Sequence, residues 1–203
     1  MTTVSLDLCP AEFQEITRLA EAPTASAVVL DLGLLLGRGL VEVRDDRVFV
    51  DAGMQTVIDC LTRPVAVINV RTRGKASQVS SVISIVADRP ALAVTETADG
   101  ARLALVDRSR VVRQLLREAL PIAIAPSTRP LAELELALVT ELHVLLRPGV
   151  DQFAVGLQVL LMSDGSAALL EPLDAPEPRP LADQQALDSL VQELTSPLIE
   201  LLG

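Results

Sequence analysis

At 203 residues the chain can hold one large domain or two small intimate ones, and half of it is apolar, mainly Leu, Val and Ala. It has no Trp, no Tyr and only Phe13, Phe49 and Phe153, which argues against a site that grips sugars, bases or flat cofactors through aromatic faces. A formal charge of −10 opposes general affinity for nucleic acid or anionic membrane.

Residues 4–8 read as a short strand or extended lead-in. Pro10 suits a first helical turn, and Phe13, Ile16, Thr17, Leu19 and Ala20 recur at helical spacing. Pro23, with Thr24 or Ser26 as N-cap, starts a second helix that runs to about Gly37 and is apolar nearly all round, hence expected to be buried. Gly37 and Gly39 let the chain leave it. Leu40–Arg44 and Arg47–Val50 then form a hairpin around Asp45-Asp46, with Val41, Val43, Val48 and Val50 alternating. Asp51 caps a third helix that turns Met54, Val57, Ile58 and Leu61 inward and stops before Pro64.

From residue 65 the hydrophobic period changes to two. Strands are predicted near 65–72, 78–86, 90–97 and 101–107, with Asp99-Gly100 as the clearest hairpin signal, so these four make an antiparallel meander. A helix over 109–119 follows, then a linker marked by Pro121 and Pro126. The rest repeats the plan: a helix over 130–146, strands from Gln152 to Met162 and 166–171 around Asp164-Gly165, a Pro-rich loop at 171–180, and a last helix over 181–195, extended to 202 past Pro197. Arg63-Pro64 and Arg147-Pro148 each end a predicted helix before a strand, and each Asp-Gly hairpin precedes an apolar-periodic helix. The expected fold is α+β: an antiparallel β-meander sheet flanked by helices, in two helix–meander–helix halves (1–120 and 121–203) related by a pseudo-two-fold axis within one compact unit. A winged-helix-like helix and hairpin stand near the N-terminus.

Chemistry is sparse. Cys9 and Cys60 form no CxxC pair and no set with His143, the single histidine, so no metal or cofactor is expected. Two sparse cysteines fit a reducing cytosol, and a single bridge between them is the alternative. The N-terminus lacks a signal-peptide pattern, and no apolar run approaches the ~20 residues of a membrane span, so a cytoplasmic protein without membrane insertion is expected. His143 falls among apolar neighbours of the 130–146 segment and reads as structural. Cys60 lies near a helix C-terminus, the wrong end for activating a thiol, and reads as buried and inert. Asp45-Asp46 occupy a turn for backbone reasons, whereas Glu133 and Glu135, two apart on a predicted helix, point away from each other. There is no nucleophile elbow, zinc motif or phosphate loop, and no enzymatic role is expected. DNA reading is also disfavoured, because the helix before the wing offers only Arg38 as a long polar residue and the wing tip is acidic.

Charge is divided along the chain. Residues 1–62 hold ten acids against four arginines, residues 63–117 ten bases against four acids, and residues 118–203 thirteen acids against three arginines. The basic middle segment reflects halves of the chain attracting each other, a solvated face, or a docking surface for an acidic partner. Its candidate contact residues are Arg71, Arg73, Lys75 (the only lysine), Gln78 and Val79, at a hairpin tip leading into the aliphatic strand 79–86. An ordinary solvated turn beside a core strand accounts for the same residues; a homodimer is a further partner the sequence allows.

Gly39-Leu40-Val41, Asp45-Asp46, Val48, Leu61, Arg63 and Pro64, in their order of strand, acidic turn, strand, helix, Arg-Pro and strand, resemble the EspG family associated with ESX (type VII) secretion in actinobacteria. The segment SDGSAALLEPLDAP and the apparent duplication resemble its C-terminal half. The chain departs from the family in being short and almost without aromatics. The resemblance implies a cytosolic, non-enzymatic chaperone that holds a secreted helical heterodimer (PE–PPE) soluble before export; it assigns no contact residue. The alternative is a winged-helix-like transcriptional regulator with an α/β sensory half.

Overall fold

The computed structural model describes residues 4–22, 30–75, 78–86, 89–107, 124–126, 129–146, 153–171 and 176–202. The predicted helix over 109–119, the start of the second helix at Pro23, and Arg147-Pro148 lie outside them. Among the described residues the fold is α+β: four helices, a nine-stranded, mostly antiparallel sheet and a separate two-stranded hairpin. The strands are β1 (Val4–Leu8), β2 (Glu42–Arg44), β3 (Arg47–Phe49), β4 (Ala66–Gly74), β5 (Gln78–Ile85), β6 (Ala91–Thr97), β7 (Gly100–Val106), β8 (Leu136–Leu146), β9 (Phe153–Met162), β10 (Ala167–Leu170) and β11 (Arg179–Leu181). The large sheet runs β1-β7-β6-β5-β4-β8-β9-β10-β11, and β2-β3 stand apart. The helices are α1 (Pro10–Glu21), α2 (Gly33–Gly37), α3 (Ala52–Thr62) and α4 (Gln184–Leu202).

The chain divides into two compact units, residues 1–65 with 83–107, and residues 66–82 with 108–203. In the first, β1 pairs with β7 from Val4↔Leu105 to Leu8↔Ala101, and β7 pairs with β6. α1 packs on α3 and β7, and α3 on β6. Ile16, Leu19 and Ala20 of α1 and Met54, Val57, Ile58 and Cys60 of α3 are buried, the stripe that helical periodicity demands. α1 starts with Pro10 in its first turn, and Glu12 reaches back to accept the Cys9 N–H at 2.8 Å. Asp51 caps α3 by accepting the Met54 N–H at 2.7 Å, and the helix ends at Thr62, before Pro64. The β6–β7 hairpin turns through Ala98-Asp99. Gly100 follows with φ +145°, and a Cβ there would lie 2.0 Å from the Leu8 carbonyl oxygen, so only glycine admits the β1–α1 junction.

The second predicted helix differs from expectation. In its described part the backbone breaks at Asp31 (φ 49°), leaving a five-residue α2 with Leu35 buried but Leu34 and Leu36 exposed. Leu32, its N-cap, supplies no side-chain acceptor. The orphan donors are met from α1 instead: the buried Glu15 carboxylate accepts from the Leu34 N–H at 3.2 Å and the Leu35 N–H at 2.9 Å. A tertiary contact thus does the work of a cap.

In the second unit β4 pairs with β8, β8 with β9, β9 with β10 and β10 with β11, all antiparallel. Here the structure corrects the sequence reading. The helix expected over 130–146 is a single 3-10 turn at Leu131–Glu133 followed by the eleven-residue strand β8. His143 is therefore a strand residue, and the second half lacks the leading helix of the expected helix–meander–helix plan. LALVTELHVLL is apolar on both alternating sets, and its Leu, Ala and Glu favour helix, so neither periodicity nor propensity exposed the strand. Burial on the sheet decides it: Thr140, Leu142 and Val144 of β8 share a covered face with Ala66, Ile68 and Val70 of β4 and Leu157 and Val159 of β9. β11 takes the end of the segment expected to be a Pro-rich loop and Leu181, where the last helix was expected to begin; its Pro180 is tolerated because β11 is the sheet's edge. Asp183 then accepts the Ala186 N–H at 2.9 Å at the start of α4, which buries Leu187 and Leu190 and continues past Pro197.

Glu15→Ala is predicted to cost about 3 kcal/mol, since it strands two backbone donors, whereas Glu15→Gln, which keeps one acceptor, costs about half of that; urea unfolding measures both. Asp7 and Glu12 set an acid-side dependence. Hydrogen bonding from Arg102 holds the Asp7 carboxyl below its ordinary range, and the Cys9 backbone N–H does the same for Glu12. Folded-state values below the unfolded ones mean stabilisation present above the ordinary carboxylate range, near pH ~4, and lost as pH falls through the depressed values. The variant carrying Asp7→Asn and Glu12→Gln should be less stable at neutral pH, by a modest amount, and show a flatter decline of stability on acidification.

Candidate functional site

On the second unit the face of β4–β8–β9 opposite the covered one is built in cross-strand rows. Register places Val67 beside Leu145, Asn69 beside His143, Arg71 beside Glu141 and Arg73 beside Val139. Across β8, His143 meets Gly156, Glu141 meets Gln158 and Val139 meets Leu160. These positions are half-buried, except Arg71 and Arg73, which are exposed. Strand alternation alone brings them to one side, because residues i and i+2 share a face.

Glu141 is the hub of this face. One carboxylate oxygen accepts from Gln158 Nε2 at 3.2 Å and the other lies 3.5 Å from Arg73 Nη2. Arg71, directly opposite Glu141 in register, forms no ion pair among the described residues. One row along, Gly156 carries no side chain, so the His143 imidazole has a cross-strand neighbour only at Asn69. The rows offer cationic and amide donors, a carboxylate acceptor and an imidazole between aliphatic margins, a surface suited to hydrogen bonding.

The five candidate contact residues all fall at the β4–β5 end of this unit. Arg71 and Arg73 share the described face. Lys75, just past β4, pairs with Glu135 at 3.0 Å, both side chains about three-quarters exposed, so the pair adds little stability. Gln78 and Val79 open β5 and are exposed, Val79 by 49%. Leu136, at the start of β8, is 45% exposed. The sequence reading missed Asn69, Glu141, His143 and Gln158 as companions of Arg71 and Arg73, because it placed Glu141 and His143 on a helix. Their alternation with Thr140, Leu142 and Val144 was the available signal.

Among the described residues no group of three or more His, Cys, Asp or Glu could hold a metal ion, and no helix is long and apolar enough to cross a membrane. Glu133 and Glu135 flank the end of the 3-10 turn rather than lie on a helix. Cys60 is fully buried, its Sγ 3.7 Å from the Pro90 carbonyl oxygen, and burial pushes its thiol up to about 11. Cys9 is exposed. An aromatic disulfide reagent is therefore expected to modify one thiol in the native protein, Cys9, and to reach Cys60 only on unfolding; a Cys9→Ser variant should show no fast phase.

No protein-family model and no curated protein sequence matches the chain. Among solved structures it is similar to the Mycobacterium tuberculosis type VII secretion system chaperone EspG5, determined in complex with the PE25–PPE41 dimer. The likeness has a TM-score of 0.58 at 11% identity and covers 96% of each chain. At that identity what the two share is the fold.

Proposed function

We propose that the protein is a non-enzymatic, protein-binding chaperone or adaptor that acts in the cytoplasm on a helical partner destined for type VII secretion. The observation that carries this reading is the shared fold along 96% of both chains with a chaperone whose structure was determined together with its dimeric client. The surface proposed for the client is the β4–β5 end of the second unit, with Arg71, Arg73, Lys75, Gln78 and Val79 and the adjoining face around Glu141. Arg71 and Arg73 supply donors, and Val79 and Leu136 supply exposed apolar area in the same unit, the combination of anchor and rim that protein interfaces use. Charge at this end sets encounter rate and register more than affinity.

The test is co-expression with helical secretion substrates of the PE–PPE kind encoded in the same genome, followed by purification of the complex. A stoichiometric complex that keeps the client soluble is expected. Reversal of the three cations (Arg71→Glu, Arg73→Glu and Lys75→Glu together) should weaken the complex at least about tenfold, with the loss greatest at low salt. Failure to hold any such client, together with sequence-selective retention on DNA at ~150 mM salt, would sink the reading in favour of a regulator.

A further inference from the structure

The hairpin β2–β3 belongs to the first unit and to neither face described above. Its two strands form a sheet of their own, and nearly every residue in it is exposed. Isolated two-stranded hairpins are marginal in water, and three or more strands are needed for independent stability. Four of the six exposed large apolar residues among those described sit in or just before this element: Leu34 and Leu36 in α2, Val43 in β2 and Phe49 in β3.

Backbone geometry determines which groups the hairpin offers. Its loop is Asp45-Asp46, with φ of 49° and 59°, closed by the pair Arg44↔Arg47. In such a two-residue hairpin the closing pair exchanges both backbone hydrogen bonds, and the next pair out, Val43↔Val48, exchanges none. The N–H and C=O of Val43 therefore point to the outer edge of β2, which no other strand among the described residues pairs, so they form a pairing template. The side chains of Val43 and Val48 share one face with Val41 and Val50, while Glu42, Arg44, Arg47 and Phe49 share the other.

We propose that the outer edge of β2 pairs antiparallel with the same edge of a second copy of this chain, about a two-fold axis through Val43. The local sequence selects that occupant, because Glu42-Val43-Arg44 is complementary to itself in this register. Glu42 comes opposite Arg44 of the second copy and Arg44 opposite its Glu42, while the two Val43 residues exchange both backbone hydrogen bonds. The attraction between these side chains is already present within one strand, where Arg44 pairs with Glu42 and its guanidinium lies 5.7 Å from the Phe49 ring centroid. On the other face the resulting four-stranded sheet lines up Val48, Val43, Val43 and Val48, covering a Val43 side chain that is 38% exposed in the single chain. Pairing through the outer edge of β3 lacks this logic, since Arg47 would face Phe49 and no opposite charges would meet. One strand pair buries less than the ~1,000 Å² of a stable interface, so the association is weak and concentration-dependent. It is independent of the client surface, which lies on the second unit.

Sedimentation velocity over a concentration series into the millimolar range tests it. The wild-type chain should show a reversible monomer–dimer equilibrium. Glu42→Arg alone and Arg44→Glu alone each set like charges opposite one another twice, and each should raise the dimer dissociation constant at least about tenfold. An equimolar mixture of the two single variants restores both opposite-charge pairs and should recover a heterodimer, as should the double variant with itself. Both changes are at exposed positions, and matching circular dichroism and unfolding midpoints will verify that the fold persists. A wild-type chain that stays monomeric throughout, single variants that dimerise like wild type, or a mixture that fails to recover dimer each overturns the proposal.

Discussion

Aliphatic side chains on alternate residues of neighbouring strands are what the second unit depends on. The chain has no Trp and no Tyr, and among the described side chains of this unit register comes from many small aliphatic contacts. Ile68 against Val144, Val70 against Leu142, and Leu142 against Leu157 supply them, and all five are buried. A slip of one residue would turn this set to the opposite face and bring Arg71, Glu141 and Gln158 into the core, at the cost of burying charge. The polar rows and the apolar rows thus specify the same register from opposite sides of the sheet.

The first unit relies on a different economy. Its acidic residues satisfy backbone donors where the chain changes direction: Glu12 at the start of α1, Asp51 at the start of α3, and Glu15 across space at the start of α2. The same use recurs in the second unit, where Asp164 accepts from the Ser166 N–H and hydroxyl and Asp183 from Ala186 N–H. Part of the net negative charge is therefore structural chemistry of turns and helix ends. Ion pairs such as Asp7–Arg102 and Lys75–Glu135 lie on exposed surface and add little beyond local order.

These two features bear on function through what they leave uncovered. A sheet whose register is held by one face is free to vary the other, and that other face carries the hydrogen-bonding rows around Glu141. A fold shared at 11% identity fits the same division, since aliphatic positions exchange for one another with little penalty while surface chemistry diverges. Shared architecture therefore carries the fold and no residue assignments.

Legibility followed the range of the determining interaction. The Asp51 cap, the Asp45-Asp46 turn, the 66–106 strands and the stop before Pro64 are set by neighbours a few residues apart, and they can be read directly from the chain. Two elements could not be read that way. Strand β8 is apolar on both sides and rich in helix formers, so only pairing with β4 and β9 makes it a strand, and only that pairing assembles Arg71, Arg73, Glu141, His143 and Gln158 on one face. Helix α2 breaks at Asp31 and begins where Glu15, 19 and 20 residues earlier, supplies its acceptors. By itself the sequence determined class, turns and the Asp51 cap, because those energies are local; the tertiary structure decided β8, α2 and the surface, because their partners lie far along the chain.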